Sequence, residues 1–155
     1  MSINRRQDNQ PGPEQQGLLD ALAAENAAVY AYGIVGAFSN PDRGNLIATY
    51  AAAHRARRDA TADALAAASV LPPQPPAGYS VPFPVNDPIT AVQLAVQVEV
   101  DTATAWRSVI ERAQSEPTRG TGIEALTETA LRLAEWRIIL GAAPTTVPFP
   151  GDEKK

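Results

Sequence analysis

Three residues of this chain have the types and spacing to do chemistry: Glu25, Glu99 and His54. Glu25 lies on the stripe Leu18, Leu22, Glu25, Val29, Tyr32 and Gly36, whose steps alternate four and three, the seam spacing of a helix packed among others. Val92, Val96, Glu99, Ala103, Trp106 and Ile110 repeat those steps 74 positions later (99 less 25, 106 less 32). Each stripe aims one carboxylate at a core and places an aromatic ring, Tyr32 or Trp106, one heptad beyond it. A carboxylate in a low-dielectric interior must be protonated or paired. His54, the single histidine, shares a stripe with Ile47, Tyr50 and Leu65. Arg58 follows one turn later on the same face, and Arg137 falls seven residues after Ala130 on the expected inward stripe of the last helix. The spacing therefore predicts a buried network of Glu25, His54, Arg58, Glu99 and Arg137. The plainer alternative is a histidine satisfied within an alanine-rich helix, beside glutamates that meet no common site.

The elements that must position these residues are helices. The first is predicted over 14–37, where Ser39-Asn40-Pro41 supplies a stop, a cap and a proline at the start of the second helix, which runs to about Ser69. Between Leu71 and Asn86 the proline-rich text PPQPPAGYSVPFPVN cannot continue a helix and predicts a long extended crossover. Asp87-Pro88 repeats the cap-plus-proline start, and the third helix is expected to reach Ser115, stopped by Glu116-Pro117. Thr121-Gly122-Ile123-Glu124 has capping-box spacing and predicts the opening of the fourth helix, ending near Gly141. Its apolar residues Leu126, Ala130, Leu133 and Leu140 define the expected inner face, turning Glu124, Glu128 and Glu135 away from it. The division is a disordered tail over 1–13, a four-helix unit over 14–141 and a proline-containing tail over 142–155.

A second sign of duplication lies outside the helices. Val81-Pro82-Phe83-Pro84 reappears as Val147-Pro148-Phe149-Pro150 after the second helical hairpin. Each phenylalanine is expected to plug one end of the helices.

Composition narrows the functional classes. At 155 residues the chain is about one domain, and alanine supplies much of its 45% hydrophobic content, which favours closely packed helices. A net charge of −4 with interspersed signs offers no patch for a nucleic-acid backbone. The absence of cysteine removes disulfides and thiolate chemistry and fits a reducing cytosol, so a cytoplasmic location is expected. Arg5-Arg6 is followed by polar residues where an export signal needs an apolar stretch, and no uninterrupted apolar run approaches a membrane span, so no membrane partner is expected. No glycine-rich phosphate loop and no serine–histidine–aspartate arrangement can be placed, leaving no identified small-molecule substrate.

Two short connections around one long crossover resemble the ferritin-like superfamily. That resemblance implies an all-α, ferritin-like four-helix bundle with the proline-rich crossover between its second and third helices. It also implies a di-iron or di-manganese site built from single glutamates on the first and third helices and Glu-x-x-His on the other two. Glu25, Glu99 and His54 match three of those places; Ala51 stands where the second helix needs glutamate, and the fourth helix has no histidine. Ala23-Ala24-Glu25-Asn26, His54-Arg55-Ala56-Arg57-Arg58-Asp59, Trp106-Arg107 and Trp136-Arg137 resemble more narrowly an uncharacterised alanine-rich ferritin-like family of unknown function.

These readings give a degenerate di-metal site, metal-free and held by the glutamate–arginine–histidine network, in a protein that is not an enzyme. A first alternative is an iron- or manganese-binding oxidoreductase using Glu25, His54 and Glu99, with open positions for an oxygen species. A second is a structural or interaction protein acting through its surface. Its alanine-lined faces, with Gly33 and Gly36, lead to the expectation of a homodimer.

Overall fold

The computed structural model describes residues 10–152. The tail expected over 1–13 therefore lies largely outside the described residues, as does the end of the C-terminal tail. Four helices, Pro13–Phe38 (α1), Gly44–Ala67 (α2), Pro88–Arg112 (α3) and Glu116–Leu140 (α4), make an all-α chain with no strand among the described residues.

Local chemistry sets the helix ends. Pro13 and Pro88 open α1 and α3, where a missing N–H costs nothing. Asp87 accepts a hydrogen bond from the Thr90 amide at 2.7 Å while Thr90 Oγ1 accepts from the Asp87 amide, a reciprocal cap. Asn40 caps a single 3₁₀ turn, Pro41–Arg43, that leads into α2. Gly141, at φ +74°, ends α4 in the left-handed conformation that glycine adopts without penalty.

The entry to α4 differs from expectation. Ser115 accepts from the Thr118 amide, and Pro117 sits in the first turn, so α4 begins at Glu116 rather than at Thr121. A proline early in a helix starts it as readily as a proline later breaks it.

Contacts along the helices fix their directions. Asp20 meets Arg112, Glu25 meets Trp106 and Tyr32 meets Glu99, so α1 and α3 are antiparallel. Glu25 meets His54 and Gly36 faces Ile47, which makes α1 and α2 antiparallel too. Gly122 lies against Ile110 and Arg132 against Glu99, so α3 and α4 are antiparallel as well. It follows that α2 and α3 point the same way.

The interior has two apolar clusters. One gathers Val35, Ile47, Leu94, Ala95 and Trp136 around Tyr32; the other gathers Leu18, Leu22, Leu65, Val109 and Ala125 around Trp106. By length and composition α1 passes as apolar enough to cross a membrane. Its buried residues pack against α2 and α3 and include Glu25, which gives that composition a use inside the fold. α2 is the least committed helix, burying Ile47, His54, Thr61 and Leu65 and leaving much of its alanine outside. The duplicated motif behaves asymmetrically: Phe83 packs against the first cluster, whereas Phe149 is 68% exposed and plugs nothing.

Candidate functional site: a buried ionic quartet

Between the two apolar clusters, each helix contributes one charged side chain to a common point: Glu25 from α1, His54 from α2, Glu99 from α3 and Arg132 from α4. The first three are at most 1% exposed and Arg132 is 8% exposed. His54 bridges the carboxylates, its Nδ1 lying 2.6 Å from Glu25 Oε2 and its Nε2 3.0 Å from Glu99 Oε1. Arg132 Nε donates to both oxygens of Glu99, at 3.2 and 3.1 Å, and its Nη2 donates to Thr129 Oγ1 at 3.1 Å.

Three aromatic donors complete the shell. Trp106 Nε1 donates to Glu25 Oε1 at 2.8 Å, the Tyr32 hydroxyl donates to Glu99 Oε1, and Trp136 Nε1 donates to the Tyr32 oxygen at 2.8 Å. The two stripes thus serve each other: the ring one heptad after Glu25 reaches Glu99, and the ring one heptad after Glu99 reaches Glu25. Burial lets such bonds act in a low dielectric, where an unpaired member would be costly.

The charges follow from the donors. An ionised carboxylate only accepts, so a histidine between two of them uses both nitrogens as donors only as the imidazolium. Burial alone opposes that charge, but the hydrogen bonds to Glu25 and Glu99 outweigh it and raise the His54 pKa above its ordinary 6.5. Burial first, and then the neighbouring Glu99 carboxylate, pushes the Tyr32 hydroxyl well above its ordinary 10.0, which keeps its proton in place. The quartet then carries two negative and two positive charges and is neutral as a set, the condition under which buried ions are tolerated.

The structure brings three of the five expected members together. Glu25, His54 and Glu99 meet, but neither expected arginine joins them. Arg58 Nε pairs with the neighbouring Asp59 at 2.9 Å, and Arg137 donates to the Pro144 carbonyl oxygen. The missed member, Arg132, lies one step round the helix from the expected stripe: the buried residues of α4 are Gly122, Ala125, Thr129, Arg132, Leu133 and Trp136, whereas Leu126, Ala130 and Leu140 are only half-buried. Trp136 carried the signal. Taking that tryptophan as core and stepping back by four and three reaches Arg132, Thr129, Ala125 and Gly122. Glu124, Glu128 and Glu135 are exposed, and Glu128 instead holds Arg57 at 2.8 Å beside Trp106, over whose ring the Arg57 guanidinium lies at 5.9 Å.

Tested as a metal centre, this donor set does not fit. Both nitrogens of His54 are spent on carboxylates, a guanidinium occupies Glu99, and among the described residues no three His, Cys, Asp or Glu side chains stand so as to hold an ion.

The fold and site define a class, an all-helical protein with a buried ionic quartet among its four helices; comparison with known proteins supports the all-helical fold. Residues 17–154 match the model of the family described as "Domain of unknown function (DUF4439)", and the chain belongs to that family. It is also similar to a solved crystal structure, that of the conserved hypothetical protein rv2844 from Mycobacterium tuberculosis. The identity is 43% over 89% of this chain and 97% of the other, with a TM-score of 0.81. No match was found among curated proteins.

Proposed function

We propose that this chain is a ferritin-like four-helix bundle whose di-metal centre has become a structural lock, binding no metal and catalysing no reaction. The observation that carries this reading is Arg132, a guanidinium standing against Glu99 where a cation is needed. The parallel direction of α2 and α3 supports the topology, because residues 68–87 must then return along the bundle as a crossover. The substitution pattern supports the ancestry. Ala51 and His54 on α2, and Thr129 and Arg132 on α4, fill the three-apart places of the two Glu-x-x-His motifs. The inward pair His54 and Arg132 is offset by 78 rather than 74 (132 less 54), so the second hairpin is one turn longer between its two site residues.

On this reading the network fixes helix register, and any cellular role is exerted at the surface. A homodimer in the cytoplasm is part of the proposal, with exposed Ile138 of α4 as a contact residue. The competing reading, an iron or manganese oxidoreductase using Glu25, His54 and Glu99, draws on the same convergence but requires Arg132 and the His54 protons to leave.

Elemental analysis decides between them. Untagged protein purified without chelator, then challenged with ferrous iron and manganese, should retain far less than one ion per chain. Near-stoichiometric metal that is lost on Glu25→Ala or Glu99→Ala would overturn the lock and install the metal reading.

A further inference from the structure

The fourth side of the helix assembly, between α2 and α4, is open. A groove of about 580 Å³ runs there, walled by Tyr50, Ala53, Ala56 and Ala60 of α2 and by Leu131 of α4. Arg132 lines it too, although its side chain is only 9% exposed. The guanidinium is therefore two-sided. Its Nε serves Glu99 and one Nη2 proton serves Thr129, while Nη1 has no hydrogen-bond partner among the described residues. The Tyr50 ring, 6.0 Å from the guanidinium carbon, helps to hold it in plane.

A guanidinium held in position by a buried carboxylate, lining the groove and with Nη1 unengaged among the described residues, offers an edge that a second carboxylate can meet bidentately. The walls set the rest of the ligand: alanine methyls, a leucine and a tyrosine face accept a hydrocarbon body, while Thr49 and Glu128 are further polar residues of the lining. Arg57 lies along the same groove, held by Glu128 and Glu124, which are 46% and 67% exposed. Pairs that wet are weak, so an incoming anion can compete for Arg57 at little cost. We propose that the α2–α4 groove binds a small carboxylic acid with an apolar body, its carboxylate on the Nη edge of Arg132 and its body along Ala53, Ala56 and Ala60. This goes beyond the lock, since it uses the face of Arg132 that the lock leaves free.

Octanoate is a suitable probe, with octanol as its uncharged match and inorganic phosphate as a bare anion. Calorimetric titration of the full chain should show saturable octanoate binding with a dissociation constant below about 1 mM, at least tenfold tighter than octanol or phosphate. Arg132→Lys should weaken it tenfold or more. Because that variant also disturbs Glu99, Ala56→Glu supplies a second test: it narrows the groove and adds a repelling charge without touching the quartet, and should abolish binding while the melting temperature holds. Equal binding of octanol would reduce the groove to a greasy surface, and equal binding of phosphate to an adventitious ion only; either overturns the proposal. So does no octanoate binding accompanied by a shift from dimer to monomer on Leu131→Glu, which would make the groove a contact between copies of this chain.

Discussion

At the scale of single residues, the quartet is held by reciprocity. Glu25 is satisfied by a tryptophan and an imidazolium, Glu99 by a tyrosine, an imidazolium and a guanidinium, so removing either charge strands buried partners. Breaking one side of a buried pair costs about 3–5 kcal/mol, although an intact pair often adds little net stability. Glu25→Gln and Glu99→Gln should each lower unfolding free energy by about that amount in denaturant titrations. Glu128→Gln, which loses only the half-exposed pair with Arg57, should cost under about 1 kcal/mol. Equal, small effects at all three positions would mean that the network does not hold the fold. Trp136 belongs to the same account: its indole fixes the Tyr32 hydroxyl at 2.8 Å, and its ring meets the Tyr50 ring edge-on at a centroid distance of 5.9 Å, linking α4 to α2.

At the scale of elements, backbone approach decides what side chains alone do not. A Cβ added to Gly122 would stand 2.8 Å from Ile110 Cγ1, so α4 can lie this close to α3 only with hydrogen there. The segment after α4 is fastened similarly. Gly151 has φ +78°, and a Cβ there would fall 2.5 Å from the Ala103 carbonyl oxygen and 2.8 Å from Arg107 Cβ of α3. Both the left-handed backbone and the contact exclude a side chain. Gly151→Ala should therefore release residues 142–152 from α3, seen as faster amide exchange in that segment with protection retained in α1 to α4. Unchanged exchange would show that the segment is not docked through Gly151. Ser115 makes a similar point about entry: Glu14 of α1 accepts from the Gln114 and Ser115 amides at 2.8 Å, tying the α3–α4 turn to the first turn of α1.

At the scale of the whole molecule, stability should depend on pH through His54. Its folded pKa is raised above the ordinary 6.5, so the stability it contributes is fully present below about pH 6.5 and is lost as pH rises through the folded value. Within that window the slope is at most about 1.4 kcal/mol per pH unit, the limit for one proton. The melting temperature should fall as pH rises above about 6.5, and the fall should persist at about 1 M salt, which screens surface pairs but not this buried one. A level or rising profile would place the imidazole in its neutral form and undo the neutral charge count. The open α2–α4 side belongs to this scale as well: three sides of the assembly are packed helix on helix, and the fourth leaves an alanine face and an arginine edge to whatever meets them.

What the sequence by itself determined is the all-helical chain, the ends of most helices, and the inward placement of Glu25, His54 and Glu99. Those residues sit on stripes whose neighbours are apolar, so periodicity marks the buried face directly, and the constant offset of 74 between α1 and α3 holds in space as the exchange of aromatic donors. Only the tertiary structure decided which arginine answers the carboxylates. On α4 the inner face carries Gly122, Thr129 and Arg132, while Ile123, Leu131 and Ile138 lie exposed. Hydrophobicity therefore placed the inner stripe one residue late along the helix and selected Arg137 in place of Arg132. A helix that buries charge in order to complete a neighbour's charge conceals its inner face from any reading based on apolar spacing, because the reason for that burial lies on another helix.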